Sequence, residues 1–190
     1  MRFLSGMITA VLLILVFTAA VVASGMFNFA ATRPPSALEK RLAPLALDRS
    51  VKKRAPDKKN PFAGNPEALA RGMGEYREMC ITCHGAPGVD ASAIGNGLNP
   101  PAPDLTVAKT QARSDGELFW IVSNGIRMTG MPGFGPTHKE DTIWKIVAFL
   151  RHLPELSKEE EKALAAGKEE DEGHGHGRDE KPGDHDAHVD

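Results

Sequence analysis

The chemistry available to this sequence is concentrated in the stretch EMCITCHGAPG, residues 78–88. It holds both cysteines of the chain, Cys80 and Cys83, and His84 directly follows the second one. Thiols and an imidazole at this spacing are found in three kinds of site: a redox-active dithiol, part of a zinc site, or a covalent attachment point for haem.

The surroundings of the motif favour haem attachment. A redox dithiol is expected after a β-strand, in a strand–helix–strand context, but a helical pattern precedes this motif. A zinc site requires four ligands, and His138 and His152 do not form a second pair at a suitable spacing. Haem attachment requires only the two cysteines and the adjacent histidine, and a second iron ligand, Met or His, is then expected late in the chain.

Short helices and irregular loops are predicted around the motif. In NPEALARGMGEYREMC, Asn65 suits an N-cap and Pro66 suits the first helical position. SDGELFWIVSNG has a capping box in Ser114 and Glu117, and KEDTIWKIVAFLRHLP is an amphipathic helix. The Gly/Pro-rich residues 85–112 are typical of a segment that wraps something. No strand-like alternation persists, so we predict an all-α domain.

In this order, the motifs resemble those of class I c-type cytochromes over roughly residues 65–154. ARGMGEYREMCITCHG resembles the family's first helix and haem-attachment motif, with Gly72 and Tyr76 where the first and last helices cross. PPAPDL resembles the segment that supports the ligand histidine, NGIRMTGMPGFG the methionine-ligand loop, and IWKIVAFLRHL the last helix. The resemblance implies a small cytochrome c fold wrapped around one covalently bound haem c.

The resemblance also implies a role for each residue of the site. Cys80 and Cys83 would carry the thioether bonds, and His84 and Met131 would be the axial ligands of the iron. The supporting residues of the haem pocket would be Pro103, whose carbonyl receives a hydrogen bond from the ligand histidine, and Leu105, which packs on the haem. Met128 is an alternative to Met131 as the ligand, and the structural alternative for Met131 is a core methionine that fills a gap.

The amino terminus predicts export or membrane anchoring. Leu4 to Ala23 is apolar or small throughout and reaches the length of a membrane span, but a cleaved signal peptide fits the same residues. The excess of Lys and Arg after this stretch argues for a cytoplasmic location of the downstream residues. Because haem c is attached on the periplasmic side in the family, the resemblance places the haem domain there, anchored to the inner membrane or soluble after cleavage.

The predicted domain organisation has four parts: residues 1–31 as anchor or signal, 32–62 as a basic, Pro-containing linker, 63–156 as the haem domain, and 157–190 as a disordered tail. The linker suits either an anionic membrane surface or a solvated tether. The tail is acidic and rich in histidine. It is interpreted either as a solvated low-complexity segment or as a weak transition-metal binder through His174, His176, His185 and His188.

A membrane-anchored electron carrier is the function that these features predict, rather than an enzyme. The expected redox partners are a quinol-oxidising complex, a dehydrogenase or a terminal oxidase, and the chain is alternatively a haem subunit of such a complex. Two other hypotheses are a ligand-binding haem sensor and a metal-binding protein that acts through its tail. The net charge of −2 over 190 residues does not indicate a nucleic-acid binder.

Overall fold

The computed structural model describes residues 2–172, and its regular elements in that range are helical, which confirms the all-α prediction. An isolated antiparallel bridge between Ala86 and Val89 is the β-type pairing found in the described residues. The predicted metal-binding histidines of the tail lie outside that range. The elements are α1 (Arg2–Ala23), α2 (Ala37–Arg54), α3 (Pro66–Met79), α4 (Ile81–His84), α5 (Ala93–Asn96), α6 (Ala108–Gln111), α7 (Asp115–Asn124), α8 (Glu140–His152), a 3-10 turn (Leu153–Glu155) and α9 (Lys158–Glu172).

Helix α1 belongs to a compact unit that ends at Pro34, and the chain from Pro35 onwards forms a second unit. Phe3–Ala23 has a mean hydropathy of 2.6 and is long and apolar enough to cross a membrane. A signal sequence near an amino terminus meets the same criteria of length and composition.

The core of the second unit lies where α3 crosses α8. A Cβ atom at Gly72 would lie 2.7 Å from the carbonyl carbon of Lys145 and 3.0 Å from Cβ of Phe149, so only glycine allows this approach. Tyr76 and Phe149 pack with ring centroids 5.2 Å apart, and neither side chain is accessible to solvent beyond 1%. Apolar residues at helical spacing on both helices thus meet at one close crossing.

Helix α7 packs beside α8 through a second apolar cluster. The predicted capping box is present: the Ser114 hydroxyl accepts a hydrogen bond from the Glu117 backbone N–H, and the Glu117 carboxylate accepts one from the Ser114 N–H. Phe119 and Trp144 stack with centroids 4.2 Å apart over the buried Leu118 and Val147. These contacts hold α7 against α8, and α7 leads into the loop containing Met131.

The structure differs from the predicted linker over residues 32–62. Residues 37–54 form α2, and its last turns pack on the domain through the fully buried Val51 and an ion pair between Asp48 and Arg113. Asn60 is buried, and its side-chain amide donates a hydrogen bond of 2.8 Å to the Trp144 carbonyl. The compact unit therefore begins well before residue 63. The sequence did not predict this, because long-range contacts of this kind cannot be read from local composition.

The predicted disorder from residue 157 is also contradicted over part of its length, since Lys158–Glu172 forms α9. Leu164 in this helix is fully buried in the main core cluster, and His152 Nε2 lies 3.0 Å from a carboxylate oxygen of Glu160. Ser157 accepts a hydrogen bond from the Glu160 N–H as an N-cap. A few contacts of this kind position a segment whose average composition is polar.

Candidate functional site

The two cysteines and the histidine share one face of a helical turn. Cys80 ends α3, α4 follows directly at Ile81–His84, and the Cys83 and His84 N–H groups both donate to the Cys80 carbonyl, at 3.1 and 2.9 Å. Residues three and four positions apart in a helix lie on the same side. The turn therefore presents two thiols and one imidazole together, and both cysteines are free of disulfide bonds.

A second short helix packs tightly against the back of this turn. A Cβ atom at Gly95 in α5 would lie 2.8 Å from the Cα of Cys83, and the Ser92 N–H donates a 2.9 Å hydrogen bond to the Thr82 carbonyl. Sequence reasoning missed Gly95. The available signal was only a glycine in a Gly-rich stretch, which by itself does not indicate a contact partner.

The His84 ring is oriented by a backbone carbonyl. Its Nδ1 lies 2.8 Å from the Pro103 carbonyl oxygen. A carbonyl can only accept, so Nδ1 must carry the proton, which leaves the Nε2 lone pair available to a metal. Burial lowers the pKa of His84, against the opposing effect of that hydrogen bond, and favours the neutral ring that metal ligation requires. Such an outer-shell hydrogen bond is typical of histidine ligands.

The environment of the thiols does not suit a redox dithiol. Burial, followed by the nearby Cys83 and Glu75, raises the pKa of Cys80 to about 12, whereas catalytic dithiols depend on a stabilised thiolate. A zinc site also lacks its ligands: residues 2–172 contain no cluster of three or more His, Cys, Asp or Glu side chains able to hold a metal ion. The donor set therefore fits a haem iron better than zinc or disulfide exchange.

The Met131 loop is held by its own backbone and by Thr129. The Ile126 N–H donates to the Met131 carbonyl at 3.2 Å, and the Met131 N–H donates to the Thr129 hydroxyl at 3.1 Å. That hydroxyl donates in turn to the Ile126 carbonyl at 2.7 Å. Thr129 is a further residue that sequence reasoning missed, although a hydroxyl two residues before a methionine is a turn signal.

The structure places three of the six predicted site residues around one apolar cluster. Met131, Leu105 and Cys80 are partly buried and pack against the main core cluster, which includes Tyr76 and Phe149. Met128 behaves differently: it is 88% exposed and has a left-handed backbone, with φ of 62°. Of the two methionines, the geometry favours Met131 as the one that can face a buried group, while the ligand assignments themselves stay predictions.

The chain matches known proteins over the same region. The family model for cytochrome c oxidase, cbb3-type, subunit III matches residues 67–150. A 1-butanol dehydrogenase (cytochrome c) from Thauera butanivorans is 35% identical over 86 residues, which are 45% of this chain and 11% of that protein. The chain thus spans about a tenth of the length of this relative.

Among solved structures, cytochrome CL from Methylophaga aminisulfidivorans matches with a TM-score of 0.37 and 17% identity, over 71% of this chain and 83% of that one. The residues that match the family model include the Cys-x-x-Cys-His turn, the Pro103 segment and the Met131 loop. Residues 67–150 of this chain are thus similar to the cytochrome c domain that this family model describes.

Proposed function

We propose that this chain relays single electrons through one haem c, covalently bound at Cys80 and Cys83, with His84 and Met131 as the axial ligands. The observation that carries the proposal is the position of His84, which follows both thiols on one helical face while its Nδ1 contacts the Pro103 carbonyl at 2.8 Å. The match of residues 67–150 to a cytochrome family supports the identity of the cofactor.

Each residue has a definable task in this proposal. The two thiols anchor the cofactor edge, and the Pro103 carbonyl holds the His84 ring in the tautomer that offers Nε2 to the iron. Leu105 supplies apolar contact from the core cluster, and the Thr129 hydroxyl holds the backbone of Met131. When bound, haem supplies a reversible one-electron centre, whose potential is raised by a thioether ligand and an apolar environment.

Two protein ligands on the iron favour electron transfer over ligand binding or sensing. A six-coordinate iron has no open position for a substrate or a gas, and retained ligands change little between oxidation states. The hydrogen bonds within residues 126–131 hold the backbone of Met131 in place. They favour a methionine that stays on the iron over one that dissociates readily. The chain is therefore proposed to be an electron carrier and not an enzyme by itself.

The proposed location is the periplasmic face of the inner membrane, with Phe3–Ala23 as the anchor. The proposed partners are a quinol-oxidising complex, a dehydrogenase or a terminal oxidase. A role as the haem subunit of a dehydrogenase complex is a second candidate, supported by the 35% identity to part of a protein named 1-butanol dehydrogenase (cytochrome c). Isolation from native membranes under mild detergent separates the two: a subunit co-purifies with its dehydrogenase in fixed ratio, and a mobile carrier does not.

Optical spectroscopy and mass spectrometry of the haem-loaded chain test the proposed ligands. The expected results are a mass increased by one haem that survives denaturation, and a low-spin ferric spectrum with a far-red sulfur-to-iron band. Cys80→Ala and Cys83→Ala should each leave a single thioether, and Met128→Ala is the matched control that should leave the far-red band intact. A high-spin ferric spectrum of the unmodified chain would refute the electron-carrier assignment in favour of an open site.

A further inference from the structure

The first half of α2 is exposed to solvent in the described structure. Residues 37–46 are exposed on every side, whereas Val51 in the last turns is fully buried. Leu38, Leu42 and Leu45 are 65, 53 and 48% exposed. Three large apolar side chains on one short helix form a surface that water solvates poorly.

These three leucines lie on one face of the helix, opposite the face that contacts the domain. At 100° per residue, Leu42 and Leu45 fall within about 40° of Leu38, and Val51 falls about 140° away. The same outward side carries basic residues, since Arg49 continues the leucine row and Lys52 and Lys53 flank it. We call this surface, made of Leu38, Leu42, Leu45, Arg49, Lys52 and Lys53, the outer face of α2.

Positive charge dominates this part of the chain. The side chains of Lys40, Arg41, Arg49, Lys52, Lys53 and Arg54 in α2 are all exposed. The two acidic residues of the helix are already engaged: Glu39 accepts from the Ser36 N–H in a capping box, and Asp48 pairs with Arg113. The outer face therefore offers leucines together with cations that the acidic residues of α2 do not neutralise.

We propose that the outer face of α2 lies on an anionic lipid surface, with its leucines in the interfacial region and its Lys and Arg side chains on the lipid phosphates. Leucines bordered by cations on one helical face are the chemistry of an interfacial helix. Residues 24–36 join this helix to Phe3–Ala23, a segment able to cross a membrane, so the lipid is close to α2 along the chain. Because the last turns of α2 pack on the domain, this contact orients the domain as well as retaining it.

Hydrogen exchange of the full haem-loaded chain in lipid nanodiscs tests the contact. We compare discs of phosphatidylcholine with discs that also contain phosphatidylglycerol. The amides of residues 37–46, except Pro44, which has no N–H, should exchange more slowly in the anionic discs, on the order of tenfold, and the difference should shrink at high salt. The amides of α8 should be unchanged, which serves as the internal control for folding.

Variants distinguish lipid contact from simple attraction of charge. The triple change Leu38→Gln, Leu42→Gln and Leu45→Gln should abolish the protection, and glutamine keeps the helix propensity nearly constant. Ala43→Gln, on the same helix but away from the leucine row, should retain it. Equal exchange of residues 37–46 in the two lipids, or protection that survives the triple change, would overturn the proposal. Equal exchange is also the outcome expected if an acidic protein partner, rather than lipid, covers this face.

Discussion

The crossing of α3 and α8 predicts that adding a single methyl group at Gly72 will destabilise the domain. In Gly72→Ala the new Cβ would lie 2.7 Å from the carbonyl carbon of Lys145 and clash with the oxygen of the same carbonyl. Ordinary carbon contacts are about 3.5–4.0 Å, so α8 would have to retreat by about 1 Å. The obstacle is helix backbone, which cannot move aside as the end of a flexible side chain can.

The expected magnitude depends on two opposing effects on the free energy of unfolding. Replacing glycine by alanine inside a helix stabilises by about 1 kcal/mol. Overpacking a well-packed core costs about 1–3 kcal/mol. We expect the upper end of that range, because the displacement spreads to the buried Tyr76 and Phe149, and a net loss of about 2 kcal/mol results.

Gly74 provides a matched control on the same helix, since a Cβ there would meet no atom within 4 Å. Gly74→Ala should therefore stabilise the protein by about 0.5–1 kcal/mol. Thermal unfolding of the haem-loaded proteins, followed by far-ultraviolet circular dichroism, measures both changes, at roughly 4 °C per kcal/mol. If Gly72→Ala raised the melting temperature as Gly74→Ala is expected to do, the close crossing of α3 and α8 would be refuted.

Three further predictions concern the methionine loop and α9. Met131→Ala should lower the reduction potential by about 0.1 V or more and let added imidazole bind the iron; an unchanged optical spectrum and potential would exclude Met131 as a ligand. Leu164→Ala should destabilise α9 and the core it covers by about 2–4 kcal/mol, measured by denaturant unfolding, and no change would mean that α9 does not dock. A hydrogen bond from the Ser157 backbone, with a contribution from His152, lowers the pKa of Glu160 from 4.5. The stability that this carboxylate adds to the folded state is therefore present above pH 4.5 and is lost as the pH falls through the lowered pKa. Glu160→Gln should remove that part of the acid dependence of unfolding, and an identical pH profile would contradict it.

Local signals predicted the helices well, because caps and apolar periods act over a few residues. The N-cap at Asn65 and the capping box of Ser114 and Glu117 are both present as predicted. The apolar period of α8 leads to a helix whose inner face is almost fully buried. Each of these features depends only on neighbours within one or two turns, so composition and spacing suffice to find it.

The extent of the compact unit was less predictable. Charge and proline content mark residues 32–62 as a linker, but the compact unit includes Asn60. The side-chain amide of Asn60 donates a hydrogen bond to the carbonyl of Trp144, which lies 84 positions later in the chain. Average polarity also marks residues 157–172 as disordered, although Leu164 and Ala165 pack α9 on the core. Composition is an average over a segment, whereas docking depends on one or two residues that find a partner far away.

By itself the sequence predicted the type of chemistry, since two thiols, an adjacent imidazole and a later methionine in a helical chain favour haem binding over a redox dithiol or a zinc site. Only the tertiary structure decided how those residues are held. It places the Pro103 carbonyl on Nδ1 of His84, Gly95 against the attachment turn, and Thr129 behind Met131. These contacts join segments that are separate along the chain, and their geometry depends on packing that no local pattern encodes.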